Sequence, residues 1–267
     1  MPNERMDMND VMPRRVMTLF LLVDTSGSMT TNGNIGKVNS AIEEMIPLLK
    51  DVSDENADAE IKVAVLDFSS SCRWVTHDSA GQPGAESLES FFWNDLQASG
   101  LTSMGAAFTE LESKLSRTGF LASSTGAFAP VIILLSDGQP TDAWQAGLEK
   151  LKKNNWFRNA IKVAISVDNG DMAVLTAFTG TTESVLRVDS NRDDLKSLLC
   201  NLAVVSSTMQ SRSVTVGGAA TDEEEALRRA QEAVKHTVTP PPAPEPDPEP
   251  GPGPGPDPNP FTWPDEW

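Results

Sequence analysis

Short apolar runs alternate with amphipathic segments along most of the chain. The runs are rich in Val, Ile and Leu, and their lengths are typical of β-strands. The predicted strands are Val16–Asp24, Ile61–Phe68, Arg73–Thr76, Val131–Ser136, Ile161–Val167 and Ser184–Val188. The fourth run is apolar on both faces, which is typical of a central strand in a parallel sheet.

Between these runs, apolar side chains recur at the spacing of one helical face, which indicates helices packed against a sheet. The three stripes are Val38, Ile42, Met45, Ile46 and Leu49; Met104, Ala107, Phe108, Leu111 and Leu115; and Leu195, Leu198, Leu199 and Leu202. Pro47 is expected to kink or shorten the first helix, and Thr141 is expected to cap a helix that carries Trp144. The alternation predicts an α/β fold with a mostly parallel central sheet and helices on both faces.

Changes in composition divide the chain into four segments. Residues 1–13 are predicted to be a flexible leader, and residues 14–217 the folded domain. Residues 218–238 form a charged segment, in which acidic residues come first and basic residues last, a distribution that suits a helix dipole. Residues 239–267 form an acidic, proline-rich tail.

The tail cannot pack a core, because more than half of residues 240–260 are proline. It is predicted to be extended and solvated, with a reach on the order of 65 Å. The aromatic side chains of its terminus, Phe261 to Trp267, are not stabilised in solvent and gain stability only if they dock on a protein surface. Docking on a partner or on the same domain and a purely solubilising role are both compatible with this composition.

The 267-residue chain carries a net charge of −17, which argues against nucleic-acid binding and disfavours docking on an anionic membrane. A cationic partner or a metal ion is easier to accommodate. The two cysteines, Cys72 and Cys200, are predicted to be buried reduced thiols, and one disulfide between them is the alternative. No apolar stretch approaches the roughly 20 residues that span a bilayer, so the predicted location is the cytoplasm.

Oxygen-bearing side chains follow two of the predicted strands. Asp24, Ser26 and Ser28 come at alternate positions after the first strand, and Asp137 directly follows the fourth. Thr102 lies at the start of the second helix. Ligands of parallel α/β sheets bind beyond the carboxyl ends of the strands, and Mg²⁺ prefers such oxygen donors. For the two aspartates and Thr102, capping of a turn or helix is the structural alternative.

The pattern Asp24-x-Ser26-x-Ser28, followed by Thr102 and then by Asp137-Gly138, resembles the metal-ion-dependent adhesion site (MIDAS) of von Willebrand factor A (VWA) domains. The resemblance covers about residues 14 to 216. It looks closest to the bacterial tellurium-resistance (TerY-like) proteins, on the segments 135–142 and 210–214. Leu101 stands where members of the family often carry glycine, which predicts that the loop before Thr102, the second loop of the site, is stiffer than in those members.

The resemblance implies a Rossmann-like VWA fold that holds Mg²⁺ or Mn²⁺ at one edge of the sheet. Ser26 and Ser28 would bind the ion directly, and Thr102 either directly or through water. Asp24 and Asp137 would act largely through waters, and a partner protein would supply a further carboxylate. Such proteins serve as interaction modules in bacterial stress-response or phage-defence signalling of the tellurium-resistance type, with a protein phosphatase and a Ser/Thr kinase as the implied partners.

The residues do not favour an enzyme. The chain has two histidines, and it contains neither a Gly-x-Ser-x-Gly elbow nor a Walker loop with its lysine. Two alternatives to the signalling module remain at this point. One is an adaptor subunit for an AAA+ ATPase, and the other is a metal-dependent hydrolase that uses Asp24.

Overall fold

A seven-stranded sheet forms the centre of the molecule, for which a computed structural model describes residues 14–188 except 58, 138 and 169. The strands are β1 (Arg15–Asp24), β2 (Ala59–Phe68), β3 (Cys72–Trp74), β4 (Glu86–Ser87), β5 (Val131–Ser136), β6 (Ile161–Val167) and β7 (Val185–Val188). Their order is β3-β2-β1-β5-β6-β7, and β4 pairs with β2. Only β3 and β4 run antiparallel to their neighbour, so the predicted mostly parallel sheet is confirmed.

In the described part of the chain, five α-helices connect the strands: α1 (Asn34–Glu55), α2 (Met104–Lys114), α3 (Trp144–Leu151), α4 (Asn155–Arg158) and α5 (Met172–Thr179). Two 3-10 segments, Gly27–Gly33 and Thr182–Ser184, precede α1 and β7. Within the described residues, no helix has both the length and the apolar character needed to cross a membrane.

The sheet separates two apolar cores, because its central strands are buried on both faces. Along β1, Leu19, Leu21 and Val23 face the core beneath α1. Phe20 and Leu22 face the opposite core, which α2, α3 and α5 cover. The long apolar runs of the sequence therefore reflect a sheet with helices on both faces.

The strand order changes direction between β1 and β5. From β1 the chain first builds outward through β2 and β3, and it then returns to place β5 on the other side of β1. Val23 pairs with Leu135 in the parallel β1–β5 ladder, so Asp24 and Ser136 follow at the same level. Loops after these two strands therefore share one crevice at the carboxyl edge.

Several local expectations from the sequence need correction. Pro47 lies inside α1, which continues to Glu55, so of the two expected effects the shortening is wrong; buried side chains from Val38 to Ser53 anchor the helix on both sides of the proline. Thr141 does not cap α3, whose N-cap residue is Ala143. The short strand β4 was not predicted, because its two residues have no apolar pattern.

Some predictions concern residues outside the described ranges. These are the leader, the helix with Leu195 to Leu202, the charged segment 218–238, the tail 239–267 and Cys200. Cys72 is a half-buried free cysteine, as predicted for a reduced thiol.

Candidate functional site

Asp24 ends β1 and is completely buried. Its Oδ1 accepts a hydrogen bond from the backbone N–H of Ser26 at 2.9 Å, and its Oδ2 accepts one from Ser136 Oγ at 2.6 Å. Burial raises the pKa of Asp24, and the hydrogen bonds from Ser136 and Ser26 offset only part of this effect. A nearby cation would favour the ionised carboxylate at this position.

The two serines of the first loop form a chain that leads from the buried aspartate toward solvent. Ser26 Oγ lies 2.9 Å from Ser28 Oγ, and Ser28 Oγ donates to Asp137 Oδ1 at 2.8 Å. Ser26 is 1% exposed, whereas Ser28 is exposed. Thr25 turns away from this chain, because its Oγ1 donates to Asp67 on β2.

Asp137 follows β5 and is half-buried. Burial raises its pKa, the hydrogen bond from Ser28 opposes this effect, and the negative charge of Asp24 raises the pKa further. The two carboxyl groups thus lie close enough to repel each other when both are ionised. A divalent cation between them would remove that repulsion.

The loop that carries Thr102 is tied to the first loop through backbone contacts. Gly27 N donates to Gly100 O at 3.0 Å, and Ser99 N donates to Thr25 O at 2.7 Å. Gly100 needs to be glycine, since its φ is +81° and a Cβ there would lie 2.5 Å from Ser70 Oγ. Thr102 itself is 5% exposed and therefore nearly buried.

The loop after β5, which is the third loop of the site, is hydrogen-bonded to the second loop, which carries Thr102. Thr141 N donates to Thr102 O at 2.9 Å, and Thr102 N donates to Thr141 Oγ1 at 3.2 Å. Asp142 accepts hydrogen bonds from the backbone N–H groups of Gly105 and Ala106, in the first turn of α2. Sequence analysis missed the role of Thr141, because a helix cap and a bridge between loops use the same residue type.

Asp168, just after β6, is a further carboxylate at this edge that sequence analysis did not single out. Asn34 Nδ2 donates to Asp168 Oδ2 at 2.5 Å, and Asn34 also lowers the pKa of Asp137. Asn32 Nδ2 lies 3.3 Å from the same Asp168 oxygen. Its position in the sequence was the available signal for a site residue, because Asp168 directly follows β6 as Asp137 directly follows β5.

Of the five predicted site residues, four form one hydrogen-bonded chain: Asp24, Ser26, Ser28 and Asp137. Thr102 reaches this chain through the backbone contacts of its loop. In the part of the chain that the structure describes, no three His, Cys, Asp or Glu side chains form a metal-binding cluster, and the donors gathered at this edge are hydroxyls and carboxylates. This hard-oxygen donor set fits Mg²⁺ or Mn²⁺ better than a soft metal.

Comparison with known families decides the classification of the domain. The profile of the von Willebrand factor type A domain matches residues 18–200. This chain belongs to the VWA domain family. VWA domains in general mediate protein–protein interactions and bind a divalent metal at the MIDAS motif, and the oxygen cluster lies where the DxSxS sequence placed that motif. The search among curated proteins gave no match.

Solved structures share the VWA fold at low sequence identity. Proximal thread matrix protein 1 from the mussel byssus is 15% identical, with a TM-score of 0.51 over 72% of this chain and 48% of its own. A von Willebrand factor type A protein from Catenulispora acidiphila is also 15% identical, with a TM-score of 0.51 over 72% of this chain and 43% of its own. The ArnB paralog VWA2 from Sulfolobus acidocaldarius is 17% identical, with a TM-score of 0.50 over 70% and 44%. The match thus spans less than half the length of each of these proteins.

Proposed function

We propose that this VWA domain is a Mg²⁺-dependent protein-interaction module whose metal ion is completed by a carboxylate from a partner protein. The observation that carries the proposal is the hydrogen-bonded chain from buried Asp24 through Ser26 and Ser28 to Asp137. It starts in the sheet and reaches solvent at Ser28. An ion held along this chain would be accessible from one side only.

The donor set suggests how the ion would be held. Ser26 and Ser28 would bind it through their hydroxyl oxygens, and Thr102 directly or through water. Asp24 and Asp137 would act largely through waters, and their two charges would balance those of Mg²⁺ or Mn²⁺. With few anionic donors bound directly, the ion retains enough Lewis acidity to attract a further carboxylate.

The proposal includes the absence of catalysis by this chain. The cluster consists of hydroxyls and carboxylates, and the metal is its only electrophile. A phosphatase assay of the purified chain with Mg²⁺ and with Mn²⁺ tests this point. Turnover that is lost in Asp24→Ala would support the metal-dependent hydrolase instead.

Calorimetric titration with Mg²⁺ and Mn²⁺ tests the metal site itself. Asp24→Ala is expected to abolish Mg²⁺ and Mn²⁺ binding. The fold is expected to survive, because burial already disfavours ionisation of the carboxyl group that the variant removes. Asp171→Ala is the matched control, since Asp171 caps α5 and lies outside the cluster. Equal titration curves for wild type and Asp24→Ala would refute the site.

We further propose that the module works in the cytoplasm, in a bacterial stress-response or phage-defence system of the tellurium-resistance type. The support is the similarity of segments 135–142 and 210–214 to TerY-like proteins. A protein phosphatase and a Ser/Thr kinase are the proposed partners. Affinity purification from the native host with Mg²⁺ or with EDTA, followed by mass spectrometry, tests them. Partners that stay bound in EDTA would contradict a metal-mediated contact.

A further inference from the structure

An apolar side chain stands in solvent beside the oxygen cluster. Leu101 is 60% exposed, and it is one of three exposed large apolar side chains among the described residues. The peptide unit between Gly100 and Leu101 is held at both of its polar groups, since Gly100 O accepts from Gly27 N and Leu101 N donates to Ser70 Oγ at 2.9 Å. The second loop therefore presents Leu101 at a fixed place next to Thr102, where an apolar ligand group can cover it.

The tail of this chain has the complementary chemistry. Its last residues read Trp263-Pro264-Asp265-Glu266-Trp267, and residues 239–267 contain acidic residues but neither Lys nor Arg. A peptide bound in an extended conformation places alternate side chains on one side. Trp263, Asp265 and Trp267 would then face the same surface, while Glu266 would face away from it.

β7 ends close enough to the proposed metal site for the tail to reach that site. β7 runs parallel to β6 and ends at Val188, at the same edge of the sheet as Asp24. Three inter-strand spacings, about 15 Å in total, separate β7 from β1. Residues 189–264 connect Val188 to Asp265, and the proline-rich part alone can span on the order of 65 Å.

We propose that Asp265 of the chain's own tail occupies the open position of the metal site, with Trp263 and Trp267 packed around Leu101. This inference rests on the proposed function. Without the ion, the tail carboxylates are repelled by Asp24 and Asp137, so docking requires the metal. An external partner must then displace the tail, which acts as a built-in competitor whose effective concentration is set by the length and stiffness of the linker.

The test compares Mg²⁺ binding by the full-length wild type, Asp265→Asn and Glu266→Gln in calorimetry. Each variant loses one negative charge from the tail, so general electrostatic effects are matched. Because the docked carboxylate stabilises the bound ion, Asp265→Asn is expected to weaken Mg²⁺ binding by about threefold or more. Glu266→Gln is expected to leave it unchanged.

Tryptophan fluorescence gives an independent readout. Addition of Mg²⁺ is expected to shift the emission of the wild type, since two indole rings become covered, and the shift is expected to vanish in Asp265→Asn. Leu101→Ser is expected to reduce it, because that variant removes the apolar contact and leaves the metal-binding side chains in place.

Three results would overturn the inference. Wild-type Mg²⁺ affinity in Asp265→Asn would reject the docked tail and leave the proposed metal site intact. Absence of Mg²⁺ binding in the wild type would remove both proposals. Mg²⁺-dependent dimers in analytical ultracentrifugation, abolished by Asp265→Asn, would assign the tail to the site of a second copy instead of its own.

Discussion

Two carboxyl groups, those of Asp24 and Asp137, lie so close that the charge of one raises the pKa of the other. Burial raises the pKa of both groups and is the largest effect on each of them. In the folded protein both groups therefore take up protons more readily than in the unfolded chain. Without a cation, ionisation of this pair lowers the free energy of unfolding.

The pH dependence of stability in EDTA follows from these directions. The folded pKa of Asp24 lies above its ordinary value of 3.8, so wild type loses stability relative to Asp24→Asn as the pH rises from 3.8 through the raised pKa. The difference amounts to about 1.4 kcal/mol for every tenfold difference between the acid dissociation constants of Asp24 in the folded and the unfolded protein. Urea unfolding of both proteins at a series of pH values measures it. A difference that does not change between acidic and neutral pH would contradict the assignment.

At the level of single residues, the sequence predicted which side chains form the oxygen cluster better than it predicted the residues around that cluster. Asp24, Ser26 and Ser28 follow a strand whose end is evident from its apolar run, and Asp137 follows another. The neighbouring Asp168 could not be placed, because its contact with Asn34 requires β6 to lie beside β5 and a backbone φ of +57° at Asp168. No local pattern encodes that juxtaposition.

Among the secondary-structure elements, the strands were more predictable than the loops. β5 and β6 agree with the prediction residue for residue, because both are apolar runs with distinct ends. Loop contacts depend on which loops meet in space. Thr141 was therefore assigned to α3, although it binds the loop before α2.

Gly100 is the position where the loop structure is most sensitive to substitution. Gly100→Ala forces an L-residue into φ +81° and brings its Cβ to 2.5 Å from Ser70 Oγ. It is expected to lower the free energy of unfolding by roughly 1–3 kcal/mol and to weaken Mg²⁺ binding, because the Thr102 loop shifts. Urea unfolding and calorimetry measure the two effects.

Gly36→Ala is the matched control for this variant. Gly36 lies in α1 with no atom within 4 Å of an added Cβ, so alanine is expected to stabilise the helix by roughly 0.5–1 kcal/mol and to leave Mg²⁺ binding unchanged. If the two variants had the same effect, the backbone conformation of Gly100 would not matter to the site.

For the whole molecule, the alternation of strands and helices was enough to predict the layered fold and the edge at which the site lies. It was not enough to give the strand order, which depends on which helix covers which face. The order β2-β1-β5 places the first and third loops side by side.

The metal is expected to stabilise the entire domain, since its proposed donors come from three separate loops. At a Mg²⁺ concentration about 100 times the dissociation constant, the free energy of unfolding should rise by about 2.7 kcal/mol. Thermal unfolding with Mg²⁺ and with EDTA measures this gain, and Asp24→Ala should lack it. A gain that survives in Asp24→Ala would indicate that the ion binds elsewhere.

Asp142 gives the loops a mechanical connection to the body of the domain. Its carboxylate holds two amides in the first turn of α2, while Thr141 beside it is bonded to Thr102. These hydrogen bonds therefore connect the second loop, the third loop and the first turn of α2 to one another. A partner carboxylate that reached the proposed ion would therefore meet a rim whose Thr102 loop cannot shift without disturbing its hydrogen bonds to Thr141 and the adjoining first turn of α2.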